Sequence, residues 1–306
     1  MAGPHVKGPV WFSVLAAVAS MATLSGSESV AQITTNTALP VGKGQTIIRF
    51  QSKLLRKTVA GMPEGPEVNV FAVPLVLVHG PTAKLALFTV IPYFNKNLDM
   101  PTPDGRVSRS ASGIGDVRMF ARYEIYQHNV RGKTTRLAPF AGIDVPTGST
   151  NVSDDLGLLP RPLQLGTGSW NPFAGLVFSR QTLAWQVDVS ASYQRKTEAS
   201  DFRFGDVARL DVAGKVRILP RSLGSGLPSF VYANLETNLI YEDKSQAGGD
   251  EQTNSGGTTW FLAPGIQYAS VRTILEAAIQ VPVVYNPNGS APGTDYIVTL
   301  SMRYRI

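Results

Sequence analysis

The chain has 306 residues, with 28 Lys and Arg against 22 Asp and Glu, which gives a formal net charge of +6. The basic residues are scattered along the sequence, so we do not expect a nucleic-acid partner in spite of the positive charge. The chain contains no cysteine, which excludes disulfides, thiolate metal ligands and cysteine nucleophiles. After the first thirty residues no run of about 18 apolar residues occurs, so no transmembrane helix is predicted.

The first 31 residues have the pattern of a secretory signal peptide. Lys7 supplies a positive charge, residues 10–22 form an apolar core, and Ser29-Val30-Ala31 places small residues at the two positions that a signal peptidase inspects. We therefore predict cleavage after Ala31, with residues 32–306 forming the mature domain. An uncleaved anchor is the alternative, but its apolar stretch is short for a membrane span.

From residue 46 onward, segments of about ten residues recur, separated by residues that favour turns. The last one is the clearest, because the even-numbered residues from Tyr296 to Ile306 are all apolar and the odd-numbered ones are mostly polar. One wholly apolar face is typical of a strand that contacts lipid. The predicted strands are 46–55, 68–78, 84–95, 116–126, 136–145, 169–179, 183–194, 207–218, 230–242, 258–268, 273–283 and 295–306. The sequence thus predicts an all-β protein, a transmembrane antiparallel up-and-down β-barrel of about 12 strands.

A soluble β-sandwich would alternate in the same way, with its polar face in solvent. Two features favour the membrane. Aromatic residues lie near strand ends, as interfacial girdles do: Tyr93, Trp170, Trp185, Tyr193, Tyr241, Trp260, Tyr268, Tyr296 and Tyr304. Short connections also alternate with long ones, which we place outside the cell: 56–67, 97–113, 146–168, 195–206, 243–257 and 284–294. The connection 219–229 is an exception, because it is long although it lies on the predicted periplasmic side. Strands 68–78 and 84–95 alternate poorly, so the sequence does not show which of their faces contacts lipid.

If the apolar faces contact lipid, charged residues point into the lumen. The predicted lumen-lining residues are Arg118, Arg122, Glu124, Asp188, Arg209, Asp211, Glu236 and Arg303. Over all inward-facing positions of the predicted strands, Lys and Arg outnumber Asp and Glu, which predicts a mild preference for anions. The simpler interpretation is that these charges only neutralise one another and stabilise the wall. Twelve strands lie between filled eight-stranded barrels and open sixteen-stranded ones, so the sequence leaves open whether the lumen conducts.

No catalytic motif is present. His79 and His128 fall at predicted periplasmic turns, away from the outer rim where a hydrolase barrel would need them. The pair Asp154-Asp155 could hold a cation such as Ca²⁺, although acidic pairs on loops are usually only solvated. We therefore predict no enzyme activity, no cofactor and no metal site.

Four segments resemble a family of outer-membrane barrels named for the meta-pathway of phenol degradation. They are residues 112–117, 136–142 with 146–148, 163–172, and 202–206, which lie where strands meet outer loops. The resemblance implies a transporter-type barrel for aromatic or other small hydrophobic compounds, and it brings no catalytic residue. The chain departs from the usual barrel pattern in ending on Ile306 rather than Phe.

The sequence thus favours a passive channel of the Gram-negative outer membrane. Its expected partners are outer-membrane lipid, a small-molecule solute and the barrel assembly machinery. The alternative is a plugged structural or surface-recognition barrel that binds a partner through its outer loops.

Overall fold

The computed structural model describes residues 33–59, 62, 64–222 and 229–306. The predicted signal peptide lies outside these residues. Twelve strands form the wall: β1 (Thr46–Thr58), β2 (Glu67–His79), β3 (Leu85–Thr102), β4 (Gly105–Ile114, Val117–Tyr123 and Tyr126–Val130), β5 (Lys133–Val145), β6 (Asn171–Thr182), β7 (Trp185–Gln194), β8 (Val207–Leu219), β9 (Phe230–Glu242), β10 (Gly257–Ala269), β11 (Thr273–Pro287) and β12 (Gly293–Arg305).

The sheet closes on itself. Each wall strand pairs antiparallel with its neighbours in sequence, and β12 returns to β1 in a register that sets Met302 opposite Phe50 and Thr299 opposite Lys53. Closure removes the unpaired edges that an open sheet would expose to lipid. The predicted antiparallel barrel of twelve strands is confirmed.

The connection 97–113 was predicted as a loop, and this was wrong. Strand β3 runs on to Thr102 and pairs with Gly105–Ile114 of β4, so most of that connection is a β-hairpin. Its Gly, Pro, Asn, Asp and Ser residues suggested a loop, but the hairpin's hydrogen bonds outweigh their weak strand propensity. Strand β4 breaks at Asp116, whose carboxylate accepts hydrogen bonds from Gly148 N (3.0 Å) and Thr167 N (2.7 Å) of the next long loop.

The outer surface of the wall is apolar. Exposed Leu, Ile, Val, Phe, Met and aromatic side chains occur along it, among them Leu300, Leu239 and Ile266. All nine aromatic residues of the predicted girdles are exposed. Such a surface is unstable in water and suits a lipid environment. None of the described segments forms a helix long and apolar enough to cross a bilayer, a finding that leaves crossing by strands open.

Part of the lumen is a hydrophobic core rather than a charged surface. Strands β2 and β3, whose faces could not be assigned from the sequence, are apolar on both sides. Near the long loops, Val68, Val70 and Leu98 pack inward against Leu159 and Leu163. Near the short turns, Val76, Val78, Phe88 and Phe140 surround Ala38. The inner faces of these two strands, left unassigned from the sequence, are therefore apolar.

Candidate functional site: the lumen and its N-terminal segment

Residues 33–41, which precede β1, lie inside the barrel. Ile33, Thr35, Asn36, Thr37 and Ala38 are each at most 2% exposed. The chain leaves the lumen at the end that carries the short turns, where Gly44 N donates to Gly80 O at 2.7 Å. We call residues 33–41 the lumen segment.

One end of the lumen segment is held by a single buried carboxylate on β9. Glu236 accepts hydrogen bonds from Ile33 N at 2.7 Å, and from Thr34 N and Thr34 Oγ1 at 2.8 Å each. The Ile33 and Thr34 carbonyl oxygens accept from Arg49 of β1 and Arg209 of β8, at 3.2 and 3.3 Å. Hydrogen bonds to ionised groups are among the stronger ones in proteins.

The other end of the segment is bound to the far wall. Thr37 Oγ1 donates to Asp188 of β7 at 2.9 Å, and Ala38 N donates to Ser179 Oγ of β6 at 2.7 Å. Arg122 of β4 donates to Asn36 Oδ1 at 3.1 Å and to the carbonyl oxygen of Leu39 at 2.6 Å.

These contacts involve six of the twelve strands, so the segment crosses the lumen instead of following one wall. Its bonding is nevertheless incomplete. Within the described residues Asn36 Nδ2 has no hydrogen-bond partner. A buried polar group without a partner costs about 1–3 kcal/mol, which lowers the stability of the docked segment.

The short-turn side of the lumen holds a buried charge cluster. Glu276 of β11 accepts from both Arg303 of β12 and Arg49 of β1, the latter at 3.4 Å. Ser301 Oγ and Gln267 Nε2 also donate to this carboxylate, at 3.0 and 2.6 Å. All three charged side chains are at most 3% exposed. Two cations thus share one acid.

The remaining predicted lumen residues also point inward, but they form separate pairs. Arg118 binds Asp144 through two nitrogens, at 2.6 and 2.9 Å, and stacks over Phe173. Glu124 pairs with Arg136, and Arg209 pairs with Asp211 at 2.7 Å. Asp188 accepts hydrogen bonds from Ser179, Thr37 and Gln186.

The long loop 146–168 folds inward over the barrel mouth. Leu159, Leu163 and Leu165 are buried against the inner wall, and Lys96 of β3 donates to the carbonyl oxygens of Pro162 (3.1 Å) and Gln164 (2.6 Å). Asp154 of the same loop accepts hydrogen bonds through both carboxylate oxygens from Arg109 of β4. These bonds lower the pKa of the Asp154 carboxyl group. Asp154 is thereby engaged by a guanidinium, and the described residues contain no group of three acidic or His side chains that could hold a metal.

Sequence reasoning identified the inward charges but missed the lumen segment and the inward loop. The segment is short, polar and aperiodic, and nothing in a run of Thr and Asn marks it as buried. A weak signal exists for the loop, since the apolar Leu158, Leu159, Leu163 and Leu165 are unusual in an exposed connection.

A family model described as "Putative MetA-pathway of phenol degradation" matches residues 57–282. The chain belongs to this family. A comparison with curated protein sequences finds no match.

Solved structures share the architecture. An outer-membrane channel from Pseudomonas putida F1 is similar to this family member with a TM-score of 0.65 and 15% identity, over 88% of this chain and 97% of that one. The β domain of the BrkA autotransporter of Bordetella matches with a TM-score of 0.46 and 13% identity, over 86% and 99% of the two chains. At such identity the first likeness shows the fold, a closed antiparallel β-barrel.

Proposed function

We propose that this member of the phenol-degradation family is a passive outer-membrane channel for small molecules, including aromatic or hydrophobic compounds, and not an enzyme. It is exported with cleavage after Ala31, inserted by the barrel assembly machinery and surrounded by lipid. The eight predicted residues, Arg118, Arg122, Glu124, Asp188, Arg209, Asp211, Glu236 and Arg303, border its path.

The observation that carries the proposal is the lumen segment. Within the lumen it is held by hydrogen bonds and packing contacts with the wall, and one of its buried polar atoms, Asn36 Nδ2, has no partner among the described residues. A permanently filled barrel gains stability from apolar packing, whereas this segment places hydroxyl and amide groups at the centre. Such groups can exchange their protein partners for water when a path opens.

The test is solute uptake by liposomes that contain the purified barrel. We expect phenol and other small neutral aromatic compounds to enter faster than into protein-free liposomes, with small sugars entering more slowly. Because cations exceed acids in the lumen, planar-bilayer reversal potentials are expected to show a mild preference for anions. Uptake equal to that of protein-free liposomes for every solute would contradict the channel and favour a plugged barrel that binds a partner through its loops.

A further inference from the structure

A cavity lies between the lumen segment and the long loops. Its volume is about 100 Å³, and its floor is Thr34 of the lumen segment. The wall comes from β1 and from β8 to β12, and Gly256 and Gly257 lie at its rim. For comparison, a cavity of about 150 Å³ in a protein core holds benzene. The space is therefore of the right order for a molecule with one ring.

The cavity contains a lysine whose charge is poorly matched. Lys57 is 8% exposed and lines the cavity. In the described part of the chain, Lys57 Nζ makes neither a hydrogen bond nor an ion pair within 4.0 Å, and Glu242 is the acid whose charge acts on it. A cation on a largely buried side chain is stabilised by a partner of opposite charge. An anion bound in the cavity would provide that partner.

The other cations of the cavity strengthen its positive charge. Lys53 and Arg209 also line it, and Glu242 is the acid among the lining residues. Arg209 is already paired with Asp211 at 2.7 Å, so Lys57 is the group best placed to bind a new negative charge. With Arg209 paired to Asp211, two lysines and one acid remain among the lining residues, which favours an anionic ligand.

The rest of the cavity wall is apolar and includes rings. Phe261 and Tyr285 line it, together with Leu55 and Ile297. The Tyr285 hydroxyl donates to the carbonyl oxygen of Ala291, which fixes the ring. Gly293 lies against that ring, since a Cβ at this position would come within 2.7 Å of it. A rigid aromatic wall suits a flat apolar body.

From the positively charged part and the aromatic part of this lining, we propose that the cavity binds a small aromatic carboxylate. Its carboxylate would lie on Lys57 and its ring between Phe261 and Tyr285. The proposal deepens the proposed function, because it names a substrate class for the same lumen.

The probe is benzoate, titrated by calorimetry into the folded barrel in detergent. We expect saturable binding, with benzyl alcohol (the ring without the charge) and acetate (the charge without the ring) each binding at least about tenfold more weakly, a difference of 1.4 kcal/mol. Lys57→Gln is expected to weaken benzoate binding at least tenfold, and Lys57→Arg to retain most of it.

The matched control is Lys215→Gln, which removes another buried lumen lysine whose partner is Gln267 at 3.1 Å. It is expected to bind benzoate like the wild type. The mobility of unheated samples on SDS gels reports whether each variant is folded. If Lys57→Gln does not fold, two comparisons still decide the question: the benzoate affinity of Lys57→Arg against that of the wild type, and the affinity of the wild type for benzoate against its affinity for benzyl alcohol. Equal affinity for benzoate and benzyl alcohol, or equal affinity of folded Lys57→Gln and wild type, would overturn the proposal.

Failure of this proposal is distinguishable from failure of the channel. Liposomes that take up solutes while benzoate does not bind would remove the cavity assignment and leave the channel. Benzoate binding without uptake of any solute would remove the channel and leave the cavity assignment.

Discussion

Replacing Glu276 by Gln is expected to destabilise the barrel by about 3–5 kcal/mol, the range found when one partner of a buried ion pair is removed. Glu276 is the shared acid of Arg49 and Arg303 in the described lumen, and all three side chains are buried. The amide has nearly the same shape but no charge. Two guanidinium groups would then remain buried without that counter-charge.

The measurement is urea unfolding of the mature barrel in lipid vesicles, followed by the fluorescence of Trp170, Trp185 and Trp260. The control is Glu251→Gln, which breaks the exposed pair of Glu251 with Lys244 at 3.1 Å. Exposed pairs contribute about 0–1 kcal/mol, so little change is expected there. Similar small effects of both substitutions would show that the cluster does not carry buried charge.

Leu300→Arg is expected to cost about 2–4 kcal/mol, the range for a cation at the lipid-facing midplane of a barrel. Leu300 lies near the middle of β12, and its side chain is 57% exposed on the outer surface. In a water-exposed sheet the same substitution would be nearly neutral. The substitution therefore tests whether the exposed apolar surface contacts acyl chains.

The same unfolding assay in vesicles measures the Leu300→Arg effect. Tyr304→Arg is the matched control, because Tyr304 is on the same face but next to the end of β12. Near the interface such a change costs about 0–1 kcal/mol. If Leu300→Arg is no more costly than Tyr304→Arg, the assignment of this face to the membrane is wrong.

The wall could be predicted from the sequence because lipid imposes a period of two on every strand. Which face of a strand points to the lumen can be read from the alternation in residues 296–306 and from the charges in residues 118–124. The structure places Arg118, Arg122 and Glu124 inside the barrel. Alternation fails as a guide where the inner face is also buried in protein. The inner faces of β2 and β3 pack against the lumen segment and its neighbours through Val76, Val78 and Phe88. Both faces of these strands are therefore apolar, and polar and apolar residues do not alternate along them.

The lumen segment itself could not be predicted, because its burial depends on partners that are remote in sequence. Ile33 and Thr34 bond to Glu236, more than 200 residues away. Asp188 shows the consequence, since one of its hydrogen-bond partners is Thr37 of the lumen segment, about 150 residues away in sequence. The cavity around Lys57 was missed for the same reason, because its floor is provided by the segment.

The most direct test of the account is the single-channel conductance of a barrel that lacks residues 33–40, measured in planar bilayers beside the full mature protein. All twelve strands pair with one another without the segment, so the deletion is expected to fold and to show a larger conductance. Replacing residues 33–38 by Gly and Ser, which keeps the length but removes the side-chain contacts, should also increase conductance. A folded deletion variant whose conductance equals that of the full protein would contradict the account.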